Sequence, residues 1–233
     1  MYNKLSLISL SPACCAVDLN VGSERGEYVS QDYILDKLNR PHRAISIMYC
    51  YYPNDIGWPI RASIVHKKND IDFAWDYPYD DYHVYKDSID SIPHAFEAMR
   101  EIRSHGQDII LTLTIDPLIN DIHLIKIAEE LRPFGKMFLR INHEATGNWF
   151  SFNKRSTYQQ VADFFTRFNK IIKKHAPNVY TIICIGGVEN VNVKTMVKEK
   201  EFTKTIIEAD IWSVDKYLSL NWGWPYYTAE ENG

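Results

Sequence analysis

No run of about 20 apolar residues occurs in the sequence, so no segment is expected to span a membrane. Charge of one sign is scarce as well. The formal net charge is −4, which leaves no basic field to steer the chain onto nucleic acid, and no nucleic-acid partner is expected. Cysteine is limited to Cys14, Cys15, Cys50 and Cys184, in no metal-ligand spacing, and the adjacent pair cannot readily bridge to itself. Neither a disulfide framework nor a cysteine metal site follows. Internal repeats, linkers and a glycine-rich phosphate turn after an early strand are missing too. What remains is a chain of 233 residues with ordinary globular composition, long enough to bury a sizeable core. Residues 1–233 are read as a single domain.

Aromatics are plentiful by contrast, with 15 Tyr, 10 Phe and 6 Trp. Rings with an apolar face and a polar edge suit flat, partly polar ligands such as sugars, although most rings in any protein serve its core. The opening stretch, "MYNKLSLISLSPACC", is interrupted by serines and alternates in polarity. It reads as a first strand rather than a secretory signal. Compartment stays open, with a lean toward secreted or cell-surface.

Short apolar runs alternate with helical patterns, the grammar of βαβ units. Six strands are expected: Leu5–Leu10 or the neighbouring Cys14–Leu19, then 44–52, 108–116, 136–141, 179–187 and 209–217. Between them, "PHAFEAMREIRSHG" opens with Pro93 and stops at Gly106, and "DIHLIKIAEELRPFG" stops at Pro133 and Gly135. Over 156–175, Ser156 and Gln159 have capping-box spacing, followed by an apolar stripe at Val161, Phe164, Phe165, Phe168, Ile171 and Ile172. A further helix is expected within 191–207. Residues 53–92, rich in Asp, Tyr, Pro and Trp, break the rhythm and read as a long, ordered, rim-forming βα loop.

Such a series fits an open doubly wound sheet or a (β/α)8 TIM barrel. The open sheet asks for the missing glycine-rich turn. The barrel asks for polar groups just after several strands, and Asp116, His143, Glu144, Glu189, Asp215 and Tyr217 occupy such positions. The barrel is the reading adopted.

"RINHEATGNWF", residues 140–150, carries the chemistry. It comes one residue short of the zinc-protease pattern His-Glu-x-x-His, but position 147 is Gly and the preceding "KMFLRI" reads as a strand. No other histidine pair has helical ligand spacing, so neither a metal nor another cofactor is expected. As a strand-end residue in a partly desolvated cleft, Glu144 would hold a proton and donate it to a glycosidic oxygen, a poor leaving group. Trp149 and Phe150, just beyond, would give a sugar ring an apolar face. The other reading of Glu144 is a buried structural ion pair with Arg140.

The same stretch resembles the fourth-strand motif of glycoside hydrolase family 26, the β-mannanase-like family of clan A. Arg140, His143, Glu144, Gly147, Trp149 and Phe150 match it in order and spacing. "YQQVADFFTRFNKIIKKHAPNVYTII" and "SVDKY" are similar to the following helix, strand and sixth strand, and "GEYVSQDYILDKLNRP" more faintly to the first unit. The resemblance implies a retaining hydrolase of a β-linked, mannan-like polysaccharide, with Glu144 as acid/base. It also implies that His143 binds the sugar at the cleavage point, Arg140 holds the surroundings of Glu144, and Tyr217 approaches the nucleophile. Trp149, Tyr217, Trp222 and Trp224 are candidate stacking residues, the last two reading equally well as loop packing.

The sequence departs from the family in two ways. Ser151-Phe152 stands where further tryptophans are usual, and the glutamate nucleophile expected after a seventh strand is not found before Gly233. Since a (β/α)8 barrel usually takes about 250 residues, the expectation is an incomplete barrel of about six β/α units. The chain is a fragment, the remaining strands come from elsewhere, or the strand count is wrong; the fragment reading is preferred. Such a chain is expected to hydrolyse β-glycans poorly or not at all, unless Asp215 or Glu189 supplies the second carboxylate. Two rival functions remain: a non-catalytic carbohydrate-binding barrel, and a metal-dependent hydrolase or deacetylase on a similar barrel.

Overall fold

The computed structural model describes residues 16–18, 31–39, 42–55, 83–86, 94–147, 152, 155–185 and 200–214. Along the chain these form β1 (Ala16–Asp18), α1 (Gln31–Leu38), β2 (Ala44–Tyr51), β3 (His83–Val84), α2 (Ala95–Ser104) and β4 (Asp108–Ile115). Then follow α3 (Asp121–Leu131), β5 (Met137–Ile141), α4 (Tyr158–His175), β6 (Val179–Ile185), α5 (Thr203–Glu208) and β7 (Ile211–Val214).

Every strand pairing is parallel, and six strands lie in sequence order, β1-β2-β4-β5-β6-β7. Parallel neighbours need long crossovers, and helices supply them here, which is why β and α alternate. The six are the six expected from the apolar runs, with the first at Ala16–Asp18; Leu5–Leu10 lies outside the described residues. The seventh, β3, was not foreseen. It interrupts the stretch read as one loop and pairs the far end of β2, beyond β1, at Tyr49 and Cys50. Most of that loop lies outside the described residues.

Alternation along the strands sorts the residues onto two faces. The rows Ile47–Leu111–Leu139 and Tyr49–Leu113–Ile141 run across neighbouring strands. They belong to one buried core with Met99 and Ile102 of α2, Leu124 and Ile127 of α3, and Phe164, Phe165 and Phe168 of α4. Each such side chain, fully withdrawn from water, contributes roughly 1.5–3 kcal/mol to folding. The alternate rows, Met48–Thr112–Arg140–Ile182 and Cys50–Thr114, face away from the helices and carry the polar groups.

The helix punctuation follows the sequence closely. Gly106 and Gly135 take φ of 70° and 76° at the exits of α2 and of the 3-10 turn after α3, as their place after the last apolar residue predicts. The start of α4 needs a correction. Its capping box joins Thr157 to Gln160, not Ser156 to Gln159: Gln160 N–H donates to Thr157 Oγ1 at 3.2 Å and Thr157 N–H to Gln160 Oε1 at 2.9 Å. Both frames have the right spacing, and only the backbone decides which residue turns extended first. Of the helix expected within 191–207, the described part is a 3-10 turn at Lys200–Phe202 leading into α5.

Candidate active site

Strand β5 ends at Ile141, and the chain then turns rather than continuing as helix through 142–147. Asn142 N–H makes the last ladder bond, to Leu113 O of β4 at 3.1 Å. The backbone then leaves the sheet, with φ of 51° at Asn142 and 50° at Glu144. Left-handed backbone is uncommon outside glycine; asparagine tolerates it, but glutamate has no feature that favours it. The far side of the turn is fastened by Ala145 N–H to Cys184 O of β6 at 2.8 Å, and Gly147 N–H closes back on Glu144 O at 2.8 Å. Glu144 therefore stands on a strained turn hung between β4 and β6, at the C-terminal end of the fourth of the six sequential strands. His143 and Glu144 are each only 8% exposed.

Arg140 lies one row below, on the face away from the helices, and its Nε donates to Thr112 Oγ1 at 2.7 Å. The side chain thereby ties β5 to β4 directly beneath the turn. That accounts for an arginine in a strand otherwise apolar, since a half-buried guanidinium needs acceptors for its fixed fork of donors.

A second polar group gathers at the same end of the sheet. Arg155 Nη2 donates to Asp55 Oδ2 at 2.9 Å, its Nη1 lies 3.9 Å from Asp116 Oδ2, and its guanidinium carbon sits 4.6 Å from the centre of the Tyr52 ring. Asp55 follows β2, Asp116 follows β4, and Arg155 precedes α4. One guanidinium thus joins three loops at the mouth. All three charged side chains are less than one-third exposed, so solvent screens the pairing less than at an open surface. Asp116 was foreseen as a strand-end acid; Tyr52, Asp55 and Arg155 were not. Their only signal is position, since each follows or precedes an element by a few residues.

Behind β2, Tyr51 Oη lies 3.3 Å from His123 Nδ1, and Lys86 Nζ donates to Glu130 Oε1 at 2.9 Å. Burial first, and then the Glu130 charge, push the Tyr51 and Tyr85 phenols up, keeping both neutral. This group fastens the end of β2 and the residue pair after β3 to α3.

Of the residues singled out from sequence, Arg140, His143 and Glu144 come together around the end of β5. Trp149, Phe150, Glu189, Asp215, Tyr217, Trp222 and Trp224 lie outside the described residues. Among the described residues, no group of three or more His, Cys, Asp or Glu could hold a metal ion, and no helix is long and apolar enough to cross a membrane.

No family model and no curated protein matches the chain. Solved structures do. A GH26 β-mannanase from Bacteroides ovatus aligns with a TM-score of 0.52 and 12% identity, over 86% of this chain and 60% of the mannanase chain. The GH53 catalytic domain of Ignisphaera aggregans aligns at 0.45 and 13% identity, over 91% of this chain and 57% of that one. The catalytic domain of a GH26 endo-β-1,4-mannanase from Bacillus sp. JAMB-750 aligns at 0.44 and 12%, over 86% and 53%. The fold assignment rests on the first of these, of whose length this chain spans 60%. The six sequential parallel strands with their crossover helices thus form an incomplete (β/α) barrel among the described residues, with the fold of a GH26 glycoside hydrolase.

Proposed function

We propose that the chain is a glycoside hydrolase acting on a β-linked, mannan-like polysaccharide by retaining double displacement, with Glu144 as the acid/base. The observation that carries the reading is the strained turn itself. A glutamate, largely buried and held in left-handed backbone at the C-terminal end of a barrel strand, occupies the end of the fold where (β/α) barrels do their chemistry.

In this mechanism the Glu144 carboxyl protonates the glycosidic oxygen as its bond to the anomeric carbon breaks. A second carboxylate, about 5–5.5 Å away on the opposite ring face, attacks that carbon and forms a glycosyl ester. Glu144, now ionised, removes a proton from water, which displaces the ester and regenerates both groups. Asp215 and Glu189 are the candidates for the second carboxylate. His143 and Arg140 would hold the sugar and the surroundings of Glu144, and Trp149, Phe150, Tyr217, Trp222 and Trp224 would stack on neighbouring rings. No membrane span or nucleic-acid partner enters this reading.

The test uses hydrolysis of mannan, xylan and lichenan by the purified chain and by its Glu144→Gln variant. The amide keeps the shape of the side chain but cannot donate the proton, so turnover should fall at least about 100-fold. An aryl β-mannoside with a dinitrophenyl leaving group needs no protonation, and its first cleavage step should survive the substitution. Equal losses on both substrates would assign Glu144 a structural role instead. Absence of turnover by the unsubstituted chain on all three polysaccharides would sink the proposal.

A further inference from the structure

Asn142 stands where the β4–β5 ladder ends. In a parallel ladder the N–H of Ile115 would seek the next backbone carbonyl of β5, but the chain has already left the sheet there. Asn142 Oδ1 takes that carbonyl's place, accepting from Ile115 N–H at 2.7 Å. The same residue donates its own N–H to Leu113 O and adopts the left-handed backbone that starts the turn. Both bonds run to β4, whereas the other anchor, Ala145 N–H to Cys184 O, runs to β6. Glu144 sits between the two anchors.

The choice of residue is informative. Glycine would accept the backbone angle but offers no acceptor. Aspartate would offer both, at the cost of a second negative charge two residues from Glu144, which disfavours an ionised carboxylate nearby. Asparagine meets both demands without charge, and its Nδ2, turned away by the bond to Ile115, is buried without an acceptor among the described residues.

We propose that Asn142 is a positioning residue: its carboxamide ends the β4–β5 ladder and fixes the turn that aims Glu144. The catalytic part of this inference rests on the glycosidase reading above; the structural part does not.

Amide hydrogen exchange separates the two. In Asn142→Ala and Asn142→Gly the Ile115 amide should lose about tenfold in protection, as for one lost hydrogen bond. The proposal requires that Ala145, whose N–H bonds to Cys184 O rather than to Asn142, lose protection as well, while Leu139 in the core keeps its own. Asn142→Asp, with an acceptor and the same backbone tolerance, should restore both. On a hydrolysed oligosaccharide, kcat should fall about 100-fold in the Ala and Gly variants with little change in KM, the scale of a displaced reacting group, and recover at least in part in Asn142→Asp. If the Ala variant fails to fold, the Gly and Asp variants decide the question. Unchanged Ala145 protection in Asn142→Gly overturns the proposal. If the unsubstituted chain hydrolyses nothing, the glycosidase reading fails while the exchange data still decide whether Asn142 fixes the turn.

Discussion

The two ends of the sheet treat the same backbone problem differently. At the base, where helices hand the chain to strands, left-handed backbone falls on Asn39 after α1, Gly106 before β4 and Gly135 before β5. Those are residue types that take it readily, at helix exits where it is routine. At the mouth it falls on Asn142 and Glu144. The base is also tied down by side chains that satisfy carbonyls: Arg103 reaches the carbonyls of Phe134 at 2.9 Å, Gln107 at 3.0 Å and Lys136, and Asn178 reaches that of Arg132 at 3.1 Å. The base fixes strand order and register, and the mouth holds a conformation that stability alone would not select.

The largest expected effect tests that division at Glu144. Beside the loss of turnover in Glu144→Gln, a Glu144→Gly variant should be inactive and, having lost the same side-chain contacts but shed the left-handed strain, should be more stable than Glu144→Ala. Relief of left-handed strain is worth about 1–2 kcal/mol, and the added freedom of the unfolded chain offsets about 0.5–1 kcal/mol of it. Urea unfolding measures the balance. A Glu144→Ala variant at least as stable as Glu144→Gly would show that the left-handed backbone at this position carries no strain.

The reverse experiment belongs at the base. Gly135 has φ of 76° and ψ of −155°, a region open essentially to glycine alone. A Cβ there would meet nothing within 4 Å, so the cost of Gly135→Ala is purely conformational. It should be about 1–3 kcal/mol, with kcat and KM unchanged. A loss of turnover without a loss of stability would dissolve the distinction between the two ends.

The base was the more legible end in the sequence, for a physical reason. Glycine, proline and helical periodicity are local signals, and Gly106, Gly135 and the stripe from Val161 to Ile172 need only neighbours in the chain to be understood. The strands were equally local, apart from β3, whose two residues carry no periodicity. At the mouth, Glu144 was singled out because its motif is contiguous. The Arg155–Asp55–Asp116 group was not, since its members come from three separate loops. Asn142 was passed over although it lies inside the motif, because its role depends on the N–H of a residue in another strand. The capping box slipped by one residue because two overlapping frames both satisfied the pattern.

Asp210 offers a smaller test of how the base is fastened. It accepts from Thr181 N–H at 2.7 Å, from Thr181 Oγ1 at 3.2 Å and from Lys173, joining the start of β7 to β6 and α4. Burial acts to raise its pKa, but the Lys173 and Thr181 hydrogen bonds together outweigh that and leave it below the ordinary value. A depressed pKa in the folded state means stability that is present above the unfolded value and lost as pH falls through the folded one. Asp210→Asn should therefore cost about 1 kcal/mol at neutral pH, the scale of a partly exposed charged hydrogen bond. The difference from the parent should shrink as pH is lowered below about 4. A difference constant across that range would show that the Asp210 charge contributes nothing.

His105 gives the smallest effect and the opposite sign. It caps the C-terminus of α2, with Nδ1 2.9 Å from Glu101 O and Nε2 3.1 Å from Asp32 Oδ1 on α1. The bond to the Glu101 carbonyl, with Asp32 adding to it, raises the imidazole pKa despite some opposing desolvation. A cation is also favoured at a helix C-terminus. A raised folded pKa means stability that is fully present below the unfolded value and lost as pH rises through the folded one. Asp32 is 86% exposed, so screening keeps the contribution to a few tenths of a kcal/mol. His105→Gln should accordingly lower stability slightly at pH about 5.5 and leave it unchanged at pH about 8, on either side of the ordinary histidine range. Because the same pair is the link that joins α1 to α2, added salt should erase the difference at the lower pH. A difference that survives high salt would point to the Glu101 hydrogen bond alone, and α1 would then owe its position to packing.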